Sequence, residues 1–371
     1  MALFKKTLGI LGGGQLSMMM TIRARQMGFE VFVLSNSLKD PAATYASQWI
    51  QGDMYDEVAI KKVTSKVDFL TFETEFIPYR TIQKGIGRTK VQVFPSLDSL
   101  AVLQDRWSQK ELMWDYQIPT AEFVKINGKD DVDAAYKVFN GHVVFKRRHG
   151  VHDSFDTYII KNKKDFSLFK RKITNQETQF IAERFIPLKS EKSLIFVRNQ
   201  SKDIFAYPLL NITHKNQQCY RVWGPDQHPT ENKLITKITE MLDYLDYVGT
   251  ITFELFEVGS ELIVNEVVPR VHNSGHITLD AFTVDQFEMH IRSVLGLSFP
   301  DDIQSTQKFL MQNIVGTSVR KPVILDIHGK LHWYNKAENY PQRKLGHINY
   351  FGRSLKELNT MADFDMKNVR V

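Results

Sequence analysis

Two β-rich runs near the middle of the chain constrain its fold more than any other stretch. Residues 251–258 and 262–268 flank a Gly-Ser-Glu segment, which predicts a β-hairpin with a short loop. If the pairing is symmetric about the central serine, Glu254 lies directly opposite Glu266. Because side chains alternate between the faces of a strand, we expect one face to carry Glu254, Phe256, Val258, Leu262, Val264, Glu266 and Val268.

On that predicted face, the two glutamates are surrounded by apolar residues. Directly opposed residues have Cβ atoms about 5 Å apart, where like charges destabilise a sheet unless a positive charge lies between them. A divalent cation held between two carboxylates and a phosphate would supply that charge. The hairpin alone is equally compatible with two unrelated acids in solvent, since a slip of one residue in the pairing would exchange the two faces.

A polar loop follows the second strand of the hairpin. Residues 269–276 combine proline and glycine with anion-binding and hydrogen-bonding side chains: Arg270, His272, Asn273, Ser274 and His276. Loops at strand ends often present functional groups in this way, although an ordinary surface loop can be as polar. The loop therefore favours a site beside Glu266.

The amino-terminal part predicts a parallel sheet with helices on both faces. Residues 7–11 form an apolar strand that leads into three glycines and then a helix, where free backbone N–H groups and the helix dipole attract anions. Ser17 stands where a dinucleotide-binding fingerprint requires glycine, so that match is incomplete. Further strands at residues 30–34 and 68–72 indicate a doubly wound α/β domain.

Charged residues follow these elements at positions suited to a phosphorylated ligand. Glu73 and Glu75 come just after a strand, at the edge where open α/β sheets bind ligands, although acids at such positions also cap helices. Arg106 and Lys110 are one helical turn apart and repel each other unless an anion lies between them; a plain surface pair is the alternative. Lys146 ends an apolar strand, where its ammonium group can bind nucleotide phosphates.

The composition excludes several classes of protein. With 371 residues, 43% of them hydrophobic and 24% charged, the chain has the length and balance of two or three globular domains. Cys219 is the only cysteine, which excludes an internal disulfide framework and predicts a reducing, cytoplasmic location. No apolar run approaches the roughly 20 residues that span a bilayer. The net charge of +6 favours anionic partners without specifying nucleic acid.

The string Asn-Glu-x-x-Pro-Arg-x-His-Asn-Ser-Gly-His at residues 265–276 resembles the signature of the N5-carboxyaminoimidazole ribonucleotide synthetases. These are ATP-grasp enzymes of bacterial and fungal purine biosynthesis, and the resemblance extends over essentially the whole chain. It implies an ATP-grasp fold of mixed α/β and α+β class. The expected domains are a doubly wound parallel α/β domain at 1–100, an ATP-grasp domain at 101–299 with a lid subdomain at about 122–186, and a small β-rich domain at 300–371.

The resemblance also implies an activity and a set of site residues. The activity is ATP-dependent carboxylation of 5-aminoimidazole ribonucleotide by bicarbonate through carboxyphosphate, in a cytoplasmic homodimer without nucleic-acid or membrane partners. Mg²⁺ would bind to Glu254 and Glu266, and ATP to Arg106, Lys110, Lys146, Glu183, Ile186, Glu191, His214 and Asn265. The ribonucleotide would contact Gly14, Gln15, Leu16, Glu73, Asn273, Ser274, Lys336, Arg343 and Lys344. The catalytic residues would be Asp153, Arg270, His272, Lys336 and Arg343.

One segment departs from the family pattern. Residues 150–157 contain one glycine where the family's lid over the phosphates has four, Phe155 stands at the lid's basic position and His152 at its tyrosine position, while Asp153 is retained. Glycine accepts positive φ and close approach to a ligand, which Val151 and Phe155 do not do readily. Two alternatives therefore stay open: an ATP-grasp ligase with a different acceptor, and a nucleotide-binding paralogue with weak or no catalysis.

Overall fold

The computed structural model describes residues 6–150, 157–173, 179–216, 218–317, 323–324 and 326–371. Its strands are β1 (Thr7–Leu11), β2 (Glu30–Ser35), β3 (Gln48–Gln51), β4 (Phe69–Phe72), β5 (Gln92–Val93), β6 (Phe123–Ile126), β7 (Val143–Arg147), β8 (Thr157–Ile160), β9 (Phe180–Arg184), β10 (Ser190–Arg198), β11 (Ile204–Ala206), β12 (Leu210–Lys215), β13 (Gln218–Gly224), β14 (Gly249–Val258), β15 (Glu261–Val268), β16 (Lys308–Val315), β17 (Val323–Ile324), β18 (Lys330–Trp333), β19 (Lys344–Gly352) and β20 (Val369–Arg370).

Its α-helices are α1 (Gln15–Gln26), α2 (Glu57–Thr64), α3 (Tyr79–Ile86), α4 (Leu97–Leu103), α5 (Arg106–Asp115), α6 (Lys129–Val138), α7 (Lys163–Lys172), α8 (Glu231–Tyr244), α9 (Thr278–Ala281), α10 (Gln286–Leu295) and α11 (Leu355–Lys367). A 3₁₀ helix, Asn273–Ile277, lies between β15 and α9. Within the described ranges, no helix is both long enough and apolar enough to cross a membrane.

The amino-terminal part forms the predicted doubly wound sheet. Its five strands are all parallel, in the order β3-β2-β1-β4-β5. Leu8 and Ile10 of β1 pack in a core with α1, whereas Leu11 packs on the opposite side in a core with α2 and α3. The loops after β1 and β4 therefore meet at one edge of the sheet, because parallel strands end on the same side.

The central hairpin is confirmed, with one irregularity that the alternation of residues does not reveal. Glu254 of β14 pairs with Glu266 of β15 as predicted, but the next pair is Leu255 with Val264, which leaves Asn265 as an extra residue. Such a β-bulge shifts the facing of every residue beyond it. The prediction that Leu262 and Val264 share the face of the glutamates is wrong: both lie in the core against α8, at most 1% exposed.

A second, larger sheet runs through the rest of the chain. Its main path is β15-β14-β10-β12-β13-β16-β19-β18, so the strands after residue 300 extend the sheet that begins with the hairpin. Helix α11 covers part of this extension. Helix α10 begins at Gln286, and the Asp285 side chain accepts hydrogen bonds from the backbone N–H groups of Phe287 and Glu288. A separate sheet, β6-β9-β7-β8, occupies the range predicted as the lid subdomain. The domain boundaries themselves stay a prediction.

Candidate active site

A cleft of about 620 Å³ opens between the four-stranded sheet and the larger sheet. It is within the size range of small-molecule sites. Its lining brings together four of the residues predicted to contact nucleotide or metal, together with their neighbours: Glu191, His214, Glu254, Asn265, Thr157, Ile159, Lys192, Ile212, Leu255 and Phe256. Glu191 and the His214 ring are hydrogen-bonded to each other on one wall. Ile186 is half-buried just beyond β9.

The paired glutamates lie where this cleft meets a smaller pocket. Glu254 lines the larger cleft, and Glu266 lines the smaller one, of about 220 Å³, with Arg106. Glu266 Oε1 accepts a hydrogen bond from Arg106 Nη2 at 2.7 Å, and Glu254 Oε1 lies 3.4 Å from His272 Nε2. Both carboxylates keep some exposure, 27% for Glu254 and 30% for Glu266. They are therefore accessible to a ligand.

The charges of the two glutamates differ in how they are balanced. Burial and the Glu266 charge both raise the pKa of Glu254. Burial also favours the neutral form of Glu266, but the Arg106 and Lys146 charges outweigh it and lower the pKa of Glu266. A cation placed between the carboxylates would remove the repulsion that raises the pKa of Glu254, so the pair suits Mg²⁺.

The donor set agrees with a site that a bound phosphate completes. Among the residues that the structure describes, no three His, Cys, Asp or Glu side chains converge to hold a metal by themselves. Mg²⁺ is commonly bound by one or two carboxylates together with substrate phosphates and water. The bulge at Asn265 turns that residue toward the cleft beside Glu266, where its Oδ1 accepts from Lys146 Nζ at 2.8 Å.

Two buried lysines share one buried glutamate beside this pair. Glu183, 4% exposed, has one carboxylate oxygen 3.1 Å from Lys110 Nζ and the other 2.9 Å from Lys146 Nζ. Burial, opposed by the Glu183 charge, lowers the pKa of Lys110 to about 8. Burial alone would raise the pKa of Glu183, but the two ammonium groups hold it below its ordinary value. Arg106 and Lys110 thus have separate carboxylate partners.

This role of Glu183 was missed by sequence reasoning, which assigned it to nucleotide contact alone. Its carboxylate is directed at the lysines, so a direct hydrogen bond to a nucleotide would compete with two ion pairs. The available signal was an acid inside an otherwise apolar strand, since a buried charge requires a partner of opposite sign.

The helix terminus predicted to bind an anion already holds one from the chain itself. Glu73 Oε1 accepts from the Gly14 backbone N–H at 2.8 Å, and Oε2 accepts from Ser17 N–H at 3.2 Å. Burial raises the pKa of Glu73, and these two backbone N–H groups oppose the effect. Glu73 therefore caps the amino terminus of α1, which is the alternative given above for an acid at this position. Leu16 packs in the core and Gln15 is half-buried, so Leu16 can offer a ligand only its backbone.

An ion pair joins the loop after β15 to the amino-terminal sheet. Arg270 binds both carboxylate oxygens of Glu75, one through Nε and one through Nη2. Two residues on, His272 Nδ1 accepts from the Ser274 backbone N–H at 3.4 Å, which leaves its proton on Nε2, facing Glu254. Burial, with the Arg270 charge next in effect, holds the pKa of His272 well below its ordinary range, so the ring is neutral.

Asn273 and Ser274 are placed differently from their predicted role. They are 7% and 0% exposed. Asn273 exchanges two amide hydrogen bonds with Asn313, and the Ser274 hydroxyl bonds to Ser193 and to the His272 ring. Their buried side chains hold the loop in place through these hydrogen bonds, and their contact with the ribonucleotide stays a prediction.

Three cations from the carboxyl-terminal segment complete the site: Lys336, Arg343 and Lys344, called here the cation cluster. Burial and the Arg343 charge lower the pKa of Lys336 to about 8, and burial also lowers the pKa of Lys344. Arg343 lies 3.5 Å from Glu338, which is 79% exposed, whereas among the described residues no carboxylate pairs with Lys336 or Lys344. A cluster of cations with few ion-pair partners favours a bound anion. Asp153, the remaining predicted catalytic residue, lies outside the described residues.

Comparisons with known families cover most of the chain. Residues 5–104 match the ribonucleotide synthetase preATP-grasp domain, residues 111–287 the ATP-grasp domain, and residues 310–361 the phosphoribosylaminoimidazole carboxylase C-terminal domain. The N5-carboxyaminoimidazole ribonucleotide synthase of Saccharolobus solfataricus is 31% identical, over 97% of this chain and 95% of its own length. The chain belongs to the N5-carboxyaminoimidazole ribonucleotide synthase family.

Further members of this synthase family agree in sequence and in structure. The Staphylococcus aureus synthase is 29% identical over 98% of both chains. The crystal structure of the S. aureus synthetase complexed with ADP superposes with a TM-score of 0.88 at 28% identity, covering 98% of this chain and 97% of that one. The Thermus thermophilus synthetase gives 0.87 at 29% identity, covering 98% and 99%. The predicted family and ATP-grasp fold class are confirmed.

Proposed function

We propose that this chain catalyses ATP-dependent carboxylation of 5-aminoimidazole ribonucleotide by bicarbonate, the reaction for which its synthase relatives are named. The observation that carries the proposal is the position of the glutamate pair between two regions. Glu254 lines the cleft with Glu191 and His214, and Lys344 of the cation cluster lies within electrostatic reach of both Glu254 and His272. Arg270 lies within electrostatic reach of His272. A nucleotide triphosphate and a phosphorylated acceptor can thus meet at this pair.

ATP would occupy the cleft with its phosphates directed at the glutamate pair. Glu254 and Glu266 would hold Mg²⁺, which neutralises phosphate charge when bound. Lys146, released in part from Asn265, and Lys110 would offer ammonium groups to the phosphates, and Glu183 is the buried counter-charge that both lysines share. Arg106 would exchange Glu266 for a phosphate oxygen. Positioning and charge neutralisation are what phosphoryl transfer requires.

Carboxyl transfer would proceed in two balanced steps. A bicarbonate oxygen attacks the γ-phosphorus and ADP leaves, giving carboxyphosphate; the ribonucleotide amine then attacks the carboxyl carbon, phosphate leaves, and the amine loses one proton.

Arg270 would stabilise the transferring anion, and neutral His272 would direct its Nε2 proton toward the reacting groups. Lys336 and Arg343 would bind the ribonucleotide phosphate together with Lys344. Asp153 would contribute to positioning the amine.

The proposal includes a cytoplasmic homodimer that acts on small molecules, without nucleic-acid or membrane partners. A single cysteine, Cys219, suits a reducing compartment. The glycine-poor sequence at 150–157 is the reason for two alternative functions: an ATP-grasp ligase with another acceptor, and a nucleotide-binding paralogue without turnover.

Isotope transfer from bicarbonate tests the carboxyphosphate route. In a reaction with ¹⁸O-labelled bicarbonate, MgATP and the ribonucleotide, we expect the released phosphate to contain one bicarbonate oxygen, detected by mass spectrometry. The reason is that the bond between that oxygen and the carboxyl carbon breaks when the amine attacks. Unlabelled phosphate would mean that water attacks ATP directly and would contradict the route.

The lowered pKa of Lys336 predicts a pH-dependent affinity for the ribonucleotide. With a pKa of about 8, the protonated fraction of this lysine falls about tenfold between pH 7 and pH 9, so the KM for the ribonucleotide at saturating ATP should rise by a similar factor. In Lys336→Arg the guanidinium stays charged, and the rise should flatten.

Lys330→Arg is the matched control for this change. Lys330 is 64% exposed on β18, near Asp280, so its arginine variant should keep the pH dependence of the parent. A parent KM that stays constant from pH 7 to pH 9 would show that Lys336 does not bind the phosphate as a cation.

A further inference from the structure

A buried hydrogen-bonded chain joins the 3₁₀ helix after β15 to the carboxyl-terminal strands. The Tyr334 hydroxyl lies 3.0 Å from His276 Nδ1 and 2.8 Å from His347 Nδ1. None of these three side chains has exposed surface. Burial lowers the pKa of both imidazoles well below the ordinary histidine value, so this hydrogen-bonded chain of three side chains consists of neutral groups.

The direction of each hydrogen bond follows from the neighbours of His276. The Asn273 amide, oriented by its pairing with Asn313, places Nδ2 3.2 Å from His276 Nδ1, and an amide nitrogen can only donate. His276 Nδ1 is therefore an acceptor, Tyr334 donates its hydroxyl proton to it, and His347 donates its Nδ1 proton to the Tyr334 oxygen. The hydroxyl is thus a donor to one histidine and an acceptor from the other, which phenylalanine cannot reproduce.

The hydrogen-bonded chain of His276, Tyr334 and His347 lies next to the cation cluster. Lys336 follows Tyr334 by two residues, and its Nζ lies 5.7 Å from the centroid of the Tyr334 ring. The Tyr334 backbone N–H donates to the Leu345 carbonyl at 2.9 Å, next to Lys344. His276 belongs to the same short segment as His272, which faces Glu254. Tyr334 therefore connects both lysine-bearing segments to the segment that borders the glutamate pair.

We propose that Tyr334 is a positioning residue for the phosphate of the acceptor, acting through His276 and His347 to hold Lys336 and Lys344 at a fixed distance from the glutamate pair. The inference rests on the proposed function for the identity of the acceptor. Lysine side chains are long and flexible, and a site that binds a phosphate with them gains from fixing their backbone in advance.

Tyr334→Phe tests the proposal through a split between two Michaelis constants. We expect the KM for the ribonucleotide to rise about tenfold, the size of effect that a lost buried hydrogen bond produces, while the KM for ATP stays within about twofold of the parent value. Tyr207→Phe is the control. The Tyr207 side chain is 1% exposed and donates one hydrogen bond, to the Val284 carbonyl at 2.9 Å. The Tyr207→Phe variant therefore loses a buried hydroxyl group away from the cation cluster. Neither KM should change in that variant.

Variants of His347 keep the test usable if Tyr334→Phe does not fold. His347→Asn places an amide N–H near the position of Nδ1 and should retain the parent affinity, whereas His347→Leu lacks a donor and should behave like Tyr334→Phe. A ribonucleotide KM that is unchanged in Tyr334→Phe and in His347→Leu, or one that rises together with the KM for ATP, would overturn the proposal.

A binding measurement separates this inference from the proposed function. Titration calorimetry with ribose 5-phosphate as the probe reports the phosphate site without turnover. If the parent binds the probe, Tyr334→Phe weakens it, and ATP turnover is independent of the ribonucleotide, the positioning role stands while the proposed function fails. Equal binding of the probe by parent and variant, or no binding by either, overturns the positioning role.

Discussion

Replacement of Glu266 by glutamine is expected to lower the magnesium-dependent turnover by about 10³-fold or more, the scale on which active sites lose rate when a charge-stabilising group is removed. Glutamine has nearly the same shape as glutamate, so the bulge at Asn265 and the pairing with Glu254 should persist. The change removes one of the two carboxylates that would hold Mg²⁺, and it removes the anionic partner of Arg106. Turnover would be measured as phosphate release over a range of Mg²⁺ concentrations, with circular dichroism to verify the fold.

Glu261→Gln provides the matched control for this loss. Glu261 begins β15 on the same hairpin, is exposed, and pairs with Val258 at the turn, away from the glutamate pair. Its glutamine variant should turn over at the parent rate with the parent Mg²⁺ dependence. If Glu266→Gln were as fast as the parent, the assignment of the hairpin as the metal site would be wrong.

Replacement of Glu183 by glutamine is expected to reduce the free energy of unfolding by about 3–5 kcal/mol, because two buried ammonium groups lose their shared counter-charge. Urea denaturation at pH 7 measures this loss. The matched control is Glu122→Gln, at an ion pair with Arg184 in which the side chains are 68% and 42% exposed. Exposed pairs of this kind contribute about 0–1 kcal/mol, so the control should lose far less stability.

The pH dependence of stability gives a second test of the same triad. The pKa of Lys110 in the folded chain is about 8, below that of a free lysine, so the unfolded chain binds more protons between these values. The contribution of Lys110 to the free energy of unfolding therefore rises as the pH increases from about 8 toward the ordinary lysine pKa. Without the Glu183 charge the pKa of Lys110 falls further, so part of the loss in Glu183→Gln should be recovered at pH 9. If Glu183→Gln lost the same free energy of unfolding at pH 7 and at pH 9, lysines without a counter-charge would not be the cause of that loss.

Local periodicity was sufficient to predict the elements that depend on short-range pairing. The register of Glu254 against Glu266 follows from a short turn between two strands, and the amino-terminal sheet follows from strands that alternate with helices. The bulge at Asn265 could not be predicted, because one extra residue leaves the alternation on either side intact. It decides which face Leu262 and Val264 occupy.

The parts of the site that sequence did not reveal depend on contacts between distant segments. Glu183 meets Lys110 and Lys146 only when three separate elements pack together. Glu73 reaches the start of α1 because β1 and β4 are neighbours in the sheet, so an anion site inferred from glycine spacing alone is filled by the chain's own carboxylate. The polar pattern of residues 272–276 did not indicate that Asn273 and Ser274 point into the interior.

Phosphate release from MgATP, with and without 5-aminoimidazole ribonucleotide and bicarbonate, tests the central claim most directly. The claim predicts that release requires the ribonucleotide and bicarbonate together and is matched by formation of one carboxylated ribonucleotide per phosphate. Release that is independent of the ribonucleotide, or no release from a chain that binds ATP, would contradict it and would favour another acceptor or a nucleotide-binding role.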